Sequence, residues 1–422
     1  MTVCISVHLF PVAPDHCEMI EILIGVALGV ILGTVSGLLP GIHANTLAGV
    51  LIAVQGALLA LIGPIALGAA LFAALITHTF VDSIPSTFLG VPDADTSLSV
   101  LPAHALCLEG NGEEAVRIAA LGSACAILIA VPLSVLCYLF LPSIQPFIDW
   151  GIGIVIIAVI GYMIVTSEAP GWALALFLAS GILGIFSLQY GYLSWHGIGG
   201  ESAILMPLLS GLFGISVLAT ASQGKIPSQH YRGIGLEGGS IIRGSLLGTA
   251  AGLAVGWLPG LSNATANGVL ASVIGYTKDR RMYILATSAA NTSNAFIGLA
   301  ALFAISRMRN GVMVALSSIP IPSPTGLFVA GVLAACAAYL ITISFSTSAR
   351  YLGGIHGKWL NGLVILFVIG TCIVITGPFG GLVLLLATMI GFVPPLVNVP
   401  RMYCMGAVMI PVILFSLGIA GF

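Results

Sequence analysis

A segment of thirty residues occurs twice in this chain. Residues 22–51 and 241–270 align at one fixed offset of 219 with no gap. Gly25, Gly29, Gly33 and Gly37 fall on Gly244, Gly248, Gly252 and Gly256. Leu39-Pro40-Gly41 falls on Leu258-Pro259-Gly260, and Gly49-Val50-Leu51 on Gly268-Val269-Leu270. In a chain with 53 glycines a ladder alone could be chance, but ladder, corner and trailing triplet together mark a duplication. The offset is close to half of the 422 residues, so two related halves are expected, 1–222 and 223–422. Glycine at every fourth position leaves one helix face bare for close backbone contact. Pro-Gly then stops the helix, because proline lacks a donor and glycine tolerates positive φ. Short polar residues follow each stop: His43, Asn45 and Thr46 in the first copy, Ser262, Asn263, Thr265 and Asn267 in the second. A second apolar run then begins. This pattern predicts helical hairpins over 22–62 and 241–277, broken at Pro40-Gly41 and Pro259-Gly260. Each arm reads as about 13–16 residues, short of the roughly 20 that span a bilayer, which favours a break at membrane depth. A plain helix end at the membrane surface is the competing reading.

The surroundings must be lipid. Asp, Glu, Lys and Arg make up 6 % of the chain, against roughly 25 % in soluble domains. Mean hydropathy is +1.15, and no water-facing surface can be assembled from so few charges. The apolar runs are too long for the alternating strands of a membrane barrel. The fold class expected is therefore an all-α polytopic membrane protein. A net charge of −2 gives no sign of nucleic-acid binding. The eight cysteines are scattered with no CxxC pair, so a zinc or disulfide framework is not expected. Residues 1–20 contain no Lys or Arg and so lack the basic start of a cleaved signal peptide. The expected location is the cytoplasmic membrane, with many passes.

Charge asymmetry suggests orientation. Lys225 and Arg232 precede the second hairpin, and Lys278, Arg280 and Arg281 follow it, which places both of its ends in the cytoplasm. The first hairpin has no basic flank; Asp15, Glu18 and Glu21 precede it, and it is expected to enter from outside. Spans are expected near 65–85, 113–141, 147–167, 170–190 and 201–222, then near 282–306, 324–346, 356–376, 379–398 and 402–421. About five crossings per half give the halves opposite topology, as in inverted-repeat transporters. Arg307 and Arg309 fall on the wrong side of this scheme.

Each half has a second polar stretch. The first runs Thr77-His78-Thr79-Phe80-Val81-Asp82-Ser83-Ile84-Pro85-Ser86-Thr87, and the second Thr287-Ser288-Ala289-Ala290-Asn291-Thr292-Ser293-Asn294-Ala295. Asp82 and Asn291 read as occupying similar places, with Ser83 opposite Thr292. Polar side chains inside a membrane are costly and usually face a partner or a pathway. Asn45, Thr46, Asn263, Thr265, Asn267, Asn291, Thr292, Ser293 and Asn294 are the candidate substrate-binding residues. Asp82 and Ser83 are candidates for holding a coupling Na⁺ or H⁺; no other cofactor is expected. Helix starts after the breaks would favour an anion. Helix capping is the bland alternative for each Asn and Thr. His78 and Asp82, four residues apart, could instead serve a metalloenzyme, but no third ligand has fitting spacing. Glu113, Glu114 and Arg117 read as a solvated helix start.

These motifs resemble the large membrane subunit of the tripartite tricarboxylate transporters, the TctA-like permeases. Their Gly-x-Leu-Pro-Gly motif is matched at Gly37–Gly41 and Gly256–Gly260, and an Ala-Ala-Asn-Asn-Ala-like stretch at Ala289–Ala295. The stretch from Gly90-Val91-Pro92-Asp93 to Ala119-Ala120-Leu121-Gly122 is similar to a further family segment. Two departures mark a divergent member: Val81-Asp82 stands where the family has Gly-Gly, and Arg307-Met308-Arg309 where it has Pro-Gly. The resemblance implies a secondary transporter, not an enzyme, moving a small carboxylate-bearing solute by alternating access. It also implies a small membrane subunit and an extracytoplasmic binding protein as partners. A translocase for a phosphorylated polyprenyl lipid is the alternative, because helix N-termini bind phosphate as readily as carboxylate.

Overall fold

In the computed structural model the described residues are 16–39, 47–48, 51, 55–90, 100–195, 204–220, 227–258, 263–275, 279–320, 322–348 and 357–419. The longer elements among them are helices. In order they are α1 (His16–Leu38), α2 (Gln55–Val81), α3 (Ser83–Leu89), α4 (Val100–Leu108), α5 (Gly112–Val165), α6 (Pro170–Gln189) and α7 (Leu205–Thr220). Then follow α8 (Gly238–Trp257), α9 (Asn263–Ile274), α10 (Arg280–Ile305), α11 (Gly311–Ser317), α12 (Pro324–Ser348), α13 (Gly357–Gly391) and α14 (Gly406–Ser416). Seven stretches among the described residues are long and apolar enough to cross a bilayer. The chain is thus a multi-pass membrane protein.

The packing of α1 shows why. Its buried residues include Gly25, Gly29, Gly33, Ser36 and Gly37, while Leu23, Ile24, Leu28, Ile31 and Val35 are exposed. Small residues face the protein and large apolar ones face outward, an arrangement that water would not tolerate and lipid does.

The glycine ladders set the architecture. A Cβ on Gly25 would meet the Ala66 carbonyl oxygen at 2.3 Å, on Gly29 that of Ala70 at 2.4 Å, and on Gly33 that of Ala74 at 2.5 Å; on Gly37 it would meet the Val81 Cβ at 2.9 Å. In the second half Gly244 lies against Met282, Gly248 against Ala286, Gly252 against Ala290 and Gly256 against Ile297. The partners therefore repeat at an offset of 216, although the glycines repeat at 219. The connection in the second half is three residues shorter, and the packing is otherwise the same. Both ladders rise in the same sense as their partners, so α1 runs parallel to α2, and α8 parallel to α10. Consecutive helices that pack in parallel require the chain between them to travel back along their length.

That register corrects one expectation. At an offset of 216, Asp82 corresponds to Gly298 and Asn291 to Leu75, so the two are not counterparts. Gly63 corresponds to Asp279, and both mark the foot of a long helix. Gly63 has φ 75° and ψ 169° before Pro64, a conformation that only glycine adopts readily and that suits a residue preceding proline. Asp279 instead caps α10, its Oδ1 accepting from the Met282 N–H at 3.0 Å. Gly377, with φ 70° before Pro378, breaks α13 the same way.

Other boundaries also shift. The arms α1 and α8 have 23 and 20 residues, longer than the pattern suggested, because the polar and glycine residues ahead of each ladder remain helical. Residues 112–165 form one continuous helix through Pro132, Pro142 and Pro146, with the crossing-length part ending at Phe147 and a further apolar part at Gly153–Val165.

Candidate functional site

The two long helices α2 and α10 touch in reversed order. Phe72 meets Phe296, with ring centroids 5.5 Å apart and planes at 89°. Further along, the Thr79 and Thr292 hydroxyls are 3.1 Å apart, and Asp82 meets Asn291. The helices therefore run antiparallel where they cross. Asn291 lies eleven positions past Arg280 on a helix of 26 residues, about 16 Å along a length of about 39 Å. Asp82, at the α2–α3 junction, thus lies level with the middle part of α10. Gly37, three residues before the first Pro-Gly stop, packs against Val81 and the Asp82 backbone N, so the tip of α1 reaches the same level.

A chain of buried amides starts at this carboxylate. Asn291 Nδ2 donates to Asp82 Oδ2 at 3.1 Å, and Asn263 Nδ2 donates to Asn291 Oδ1 at 2.9 Å. Asp82, Asn291 and Asn263 are 7 %, 6 % and 2 % exposed. Asn263 Oδ1, at the far end, accepts no hydrogen bond. Asn263 opens α9 directly after the second break, where first-turn N–H groups have no partner within the helix. The structure thus joins Asp82, through Asn291 of α10, to the first residue of α9.

A small cavity adjoins the carboxylate, lined by Asp82, Ser83, Ser86, Thr87, Ala103, Ala119, Ile284, Ser288 and Asn291. Its free space of about 20 Å³ admits a water or a bare cation but no carboxylic acid. Behind this lining, His104 Nδ1 on α4 contacts the Thr87 carbonyl at 2.9 Å. Ser86, Thr87 and Ser288 were absent from the sequence-derived site, although the first two belong to the polar stretch that holds Asp82.

The remaining candidates divide. Ser83 Oγ donates to the Phe80 carbonyl at 2.7 Å and also lines the cavity. Thr292 is committed to Thr79 in the helix crossing. Ser293 donates back to the Ala289 carbonyl at 2.7 Å and faces Gly252, so it lies in the α8–α10 seam rather than on a cavity. Asn294 is partly exposed beside the tip of α8. Asn267 is fully buried, and its backbone carbonyl accepts from the Tyr283 hydroxyl at 2.9 Å. Pro40, Gly41, Asn45, Thr46, Pro259 and Gly260 lie outside the described residues, as does the side chain of Thr265. His78 Nδ1 pairs with Ser36 Oγ at 3.0 Å, tying α2 to the end of α1. Among the described residues no group of three His, Cys, Asp or Glu side chains gathers as metal ligands would.

The charges near the site are not solvated as expected. Glu113 and Glu114 are each 5 % exposed. Glu114 accepts from Arg281 at 2.7 and 2.9 Å and from the Gly235 N–H at 2.7 Å. Glu113 accepts from Arg117 at 3.0 Å, whose guanidinium lies 4.4 Å above the Tyr231 ring. Arg280 meets Glu109 at 2.6 Å. Residues 227–237 cross this cluster as an extended strap, pinned by Gln229 and by the His230 N–H on the Gly110 carbonyl. Burial under that strap, invisible in local sequence, makes the glutamates structural.

Arg307 and Arg309 also find a reason. Arg309 Nε and Nη2 donate to the Val255 carbonyl at 3.2 and 2.8 Å, and Arg307 Nη1 to the Trp257 carbonyl at 3.3 Å. In a continuing helix the Val255 carbonyl would take the N–H of residue 259, but Pro259 has none. The arginines supply the missing donors at the end of α8.

Long apolar helices, two of them crossing antiparallel over buried polar contacts and each flanked by a parallel glycine-packed partner, define a polytopic integral membrane protein. The model of the tripartite tricarboxylate transporter TctA family matches residues 23–406, and the chain belongs to that family. It is a membrane transporter component. A protein of Methanocaldococcus jannaschii described as uncharacterized protein MJ1079 is 34 % identical over 247 residues, covering 56 % of this chain and 59 % of that protein. The match thus spans about three fifths of that relative. No solved structure matches the chain.

Proposed function

We propose that the chain is the permease of a tripartite system in the cell membrane. On this reading it moves a small carboxylate-bearing solute by alternating access, coupled to an ion at Asp82. The observation that carries this is the run of hydrogen bonds from Asp82 through Asn291 to Asn263. It links an acidic group beside a cation-sized cavity to a helix start suited to an anion. The antiparallel crossing of α2 and α10, with a parallel-packed partner behind each, supports an inverted arrangement of residues 1–222 and 223–422. The level of the α1 tip beside Asp82 supports hairpins that enter and leave on one side. Asn45, Thr46, Thr265, Asn267 and Asn294 would complete the solute site near the two tips. A small membrane subunit and an extracytoplasmic binding protein would deliver the solute.

Purified protein in liposomes, offered labelled citrate and a panel of other di- and tricarboxylates, tests this. Uptake of at least one acid is expected, with loss in the Asn45→Ala/Asn263→Ala double variant while the protein stays monodisperse. Normal uptake in that variant would remove the site assignment. Movement of a polyprenyl phosphate with no acid transported would replace the solute by a lipid.

A further inference from the structure

An amide side chain has a donor at one corner and an acceptor at the other, and a half-turn exchanges them. The Asp82–Asn291–Asn263 chain therefore has two self-consistent settings. In the observed one, Asn291 gives its N–H to Asp82 and its oxygen to Asn263, which leaves Asn263 Oδ1 bare at the start of α9. An N–H aimed at the carboxylate suits its ionised form. When Asp82 takes a proton on Oδ2, the oxygen that faces Asn291, that O–H becomes a donor and needs an acceptor from Asn291. Asn291 then turns, its N–H faces Asn263, and Asn263 must turn in its place. The far end now presents Nδ2–H instead of Oδ1.

We infer that this chain is a proton-operated switch: Asp82 protonation converts Asn263 from an acceptor into a donor for an oxyanion at the α9 N-terminus. This rests on the transport reading above and names its coupling ion. The ionised state points a partial negative charge at the anion site and disfavours binding. The protonated state adds a donor to the first-turn N–H groups, which have no partner within the helix, and favours it. Solute and proton would then bind together, and affinity rises as pH falls. The unsatisfied oxygen fits this reading: a buried acceptor with no donor is costly, and a simple helix cap would not leave it so. Other groups on the packed elements are engaged elsewhere. His78 on α2 contacts Ser36, and His104 on α4 contacts Thr87. On α5 and α10, Glu113 pairs with Arg117, Glu114 with Arg281, and Arg280 with Glu109. Residues 22–38 of α1 and 263–274 of α9 contain no titratable side chain.

The test needs no substrate. Protein with ¹³C-labelled asparagine is titrated in lipid, and infrared difference spectra follow carboxylic C=O and side-chain amide C=O bands. As pH falls, a protonated carboxyl band and an amide band should rise and fall together. Asp82→Asn, which keeps the shape, should lose both. Asn263→Ala should keep the carboxyl band and lose most of the amide change, and Asn310→Ala, at the α11 cap away from this chain, should keep both. If Asp82→Asn does not fold, Asn291→Leu serves: the carboxyl band stays and the Asn263 signal stops following pH. An amide band insensitive to pH in the wild type, or one that still moves in Asp82→Asn, overturns the switch. Either failure leaves carboxylate transport standing, and absent transport with a working switch removes only the solute assignment.

Discussion

Gly248→Ala should destabilise this protein, and the structure gives the size. A Cβ at 248 would lie 2.1 Å from the Ala286 carbonyl oxygen and 2.7 Å from the Ala289 Cβ. Real Cβ atoms do not approach closer than 3.0 Å, and both obstacles are fixed to the backbone of α10. No rotamer change relieves the clash, so α8 and α10 must part by about 1 Å. Overpacking of this kind costs about 1–3 kcal/mol, against a gain of about 1 kcal/mol from replacing glycine by alanine in a helix. The net is a loss of up to about 2 kcal/mol. Gly29→Ala, the counterpart in the first half, meets Ala70 O at 2.4 Å and Ala73 Cβ at 2.6 Å and should lose a similar amount. Gly161→Ala, with nothing within 4 Å, should be neutral or stabilising. Thermal unfolding in detergent, followed as the monodisperse fraction after heating, separates the cases by sign. If Gly248→Ala and Gly161→Ala shift the midpoint alike, close helix contact is not what the ladder provides.

Glu114→Ala should cost about 2–3 kcal/mol, below the 3–5 of a fully buried pair because Arg281 is a third exposed. The Glu114→Ala/Arg281→Met double variant should lose less than the sum of the singles in the same thermal assay. Cys107 is buried, and burial pushes its thiol up to about 12; the reactive thiolate is scarce at neutral pH, and raising pH to 9 should still give negligible maleimide labelling until the protein unfolds. In a cysteine-free background, Glu109→Cys and Arg280→Cys should be labelled from one side of the membrane and Met308→Cys from the other. Labelling of all three from one side would end the inverted scheme.

Duplication, membrane class and most helix positions were legible in the sequence because they rest on local letters: a glycine ladder, a Pro-Gly stop and runs of apolar residues. Pairing was less legible. By sequence Asp82 and Asn291 read as counterparts, whereas the ladder partners show a three-residue shortening that no single letter announces. The two still belong to one site, because antiparallel crossing brings different levels of each half together. Ser293 looked like its neighbours Asn291 and Asn294, but one residue on a helix turns a side chain by about 100°, enough to move it from the site into the seam with Gly252. Glu113 and Glu114 carried the ordinary signature of a wet helix start; only the strap at 227–237, more than a hundred residues away, buries them.

The arginines after α10 show how a local defect in one element fixes chemistry in another. Pro259 denies the Val255 carbonyl its helical donor, and the last carbonyls of α8 carry the negative end of the helix dipole inside the membrane. Two guanidinium groups answer both needs, with Arg309 placing two N–H groups on one oxygen. In the first half the end of α1 carries instead the contact between Ser36 and His78, so the two glycine-ladder helices end in different chemistry. Arg309→Met should therefore cost about 1–3 kcal/mol, the penalty of an orphaned buried carbonyl. Arg309→Lys should fall between that and wild type, since a single ammonium keeps charge but not the fork. Arg307→Met, removing one bond at 3.3 Å, should cost less than either. Equal midpoints for Arg309→Met and Arg309→Lys would show that the fork is irrelevant, and equal midpoints for Arg307→Met and Arg309→Met would show that the missing proline donor is not what these residues repair.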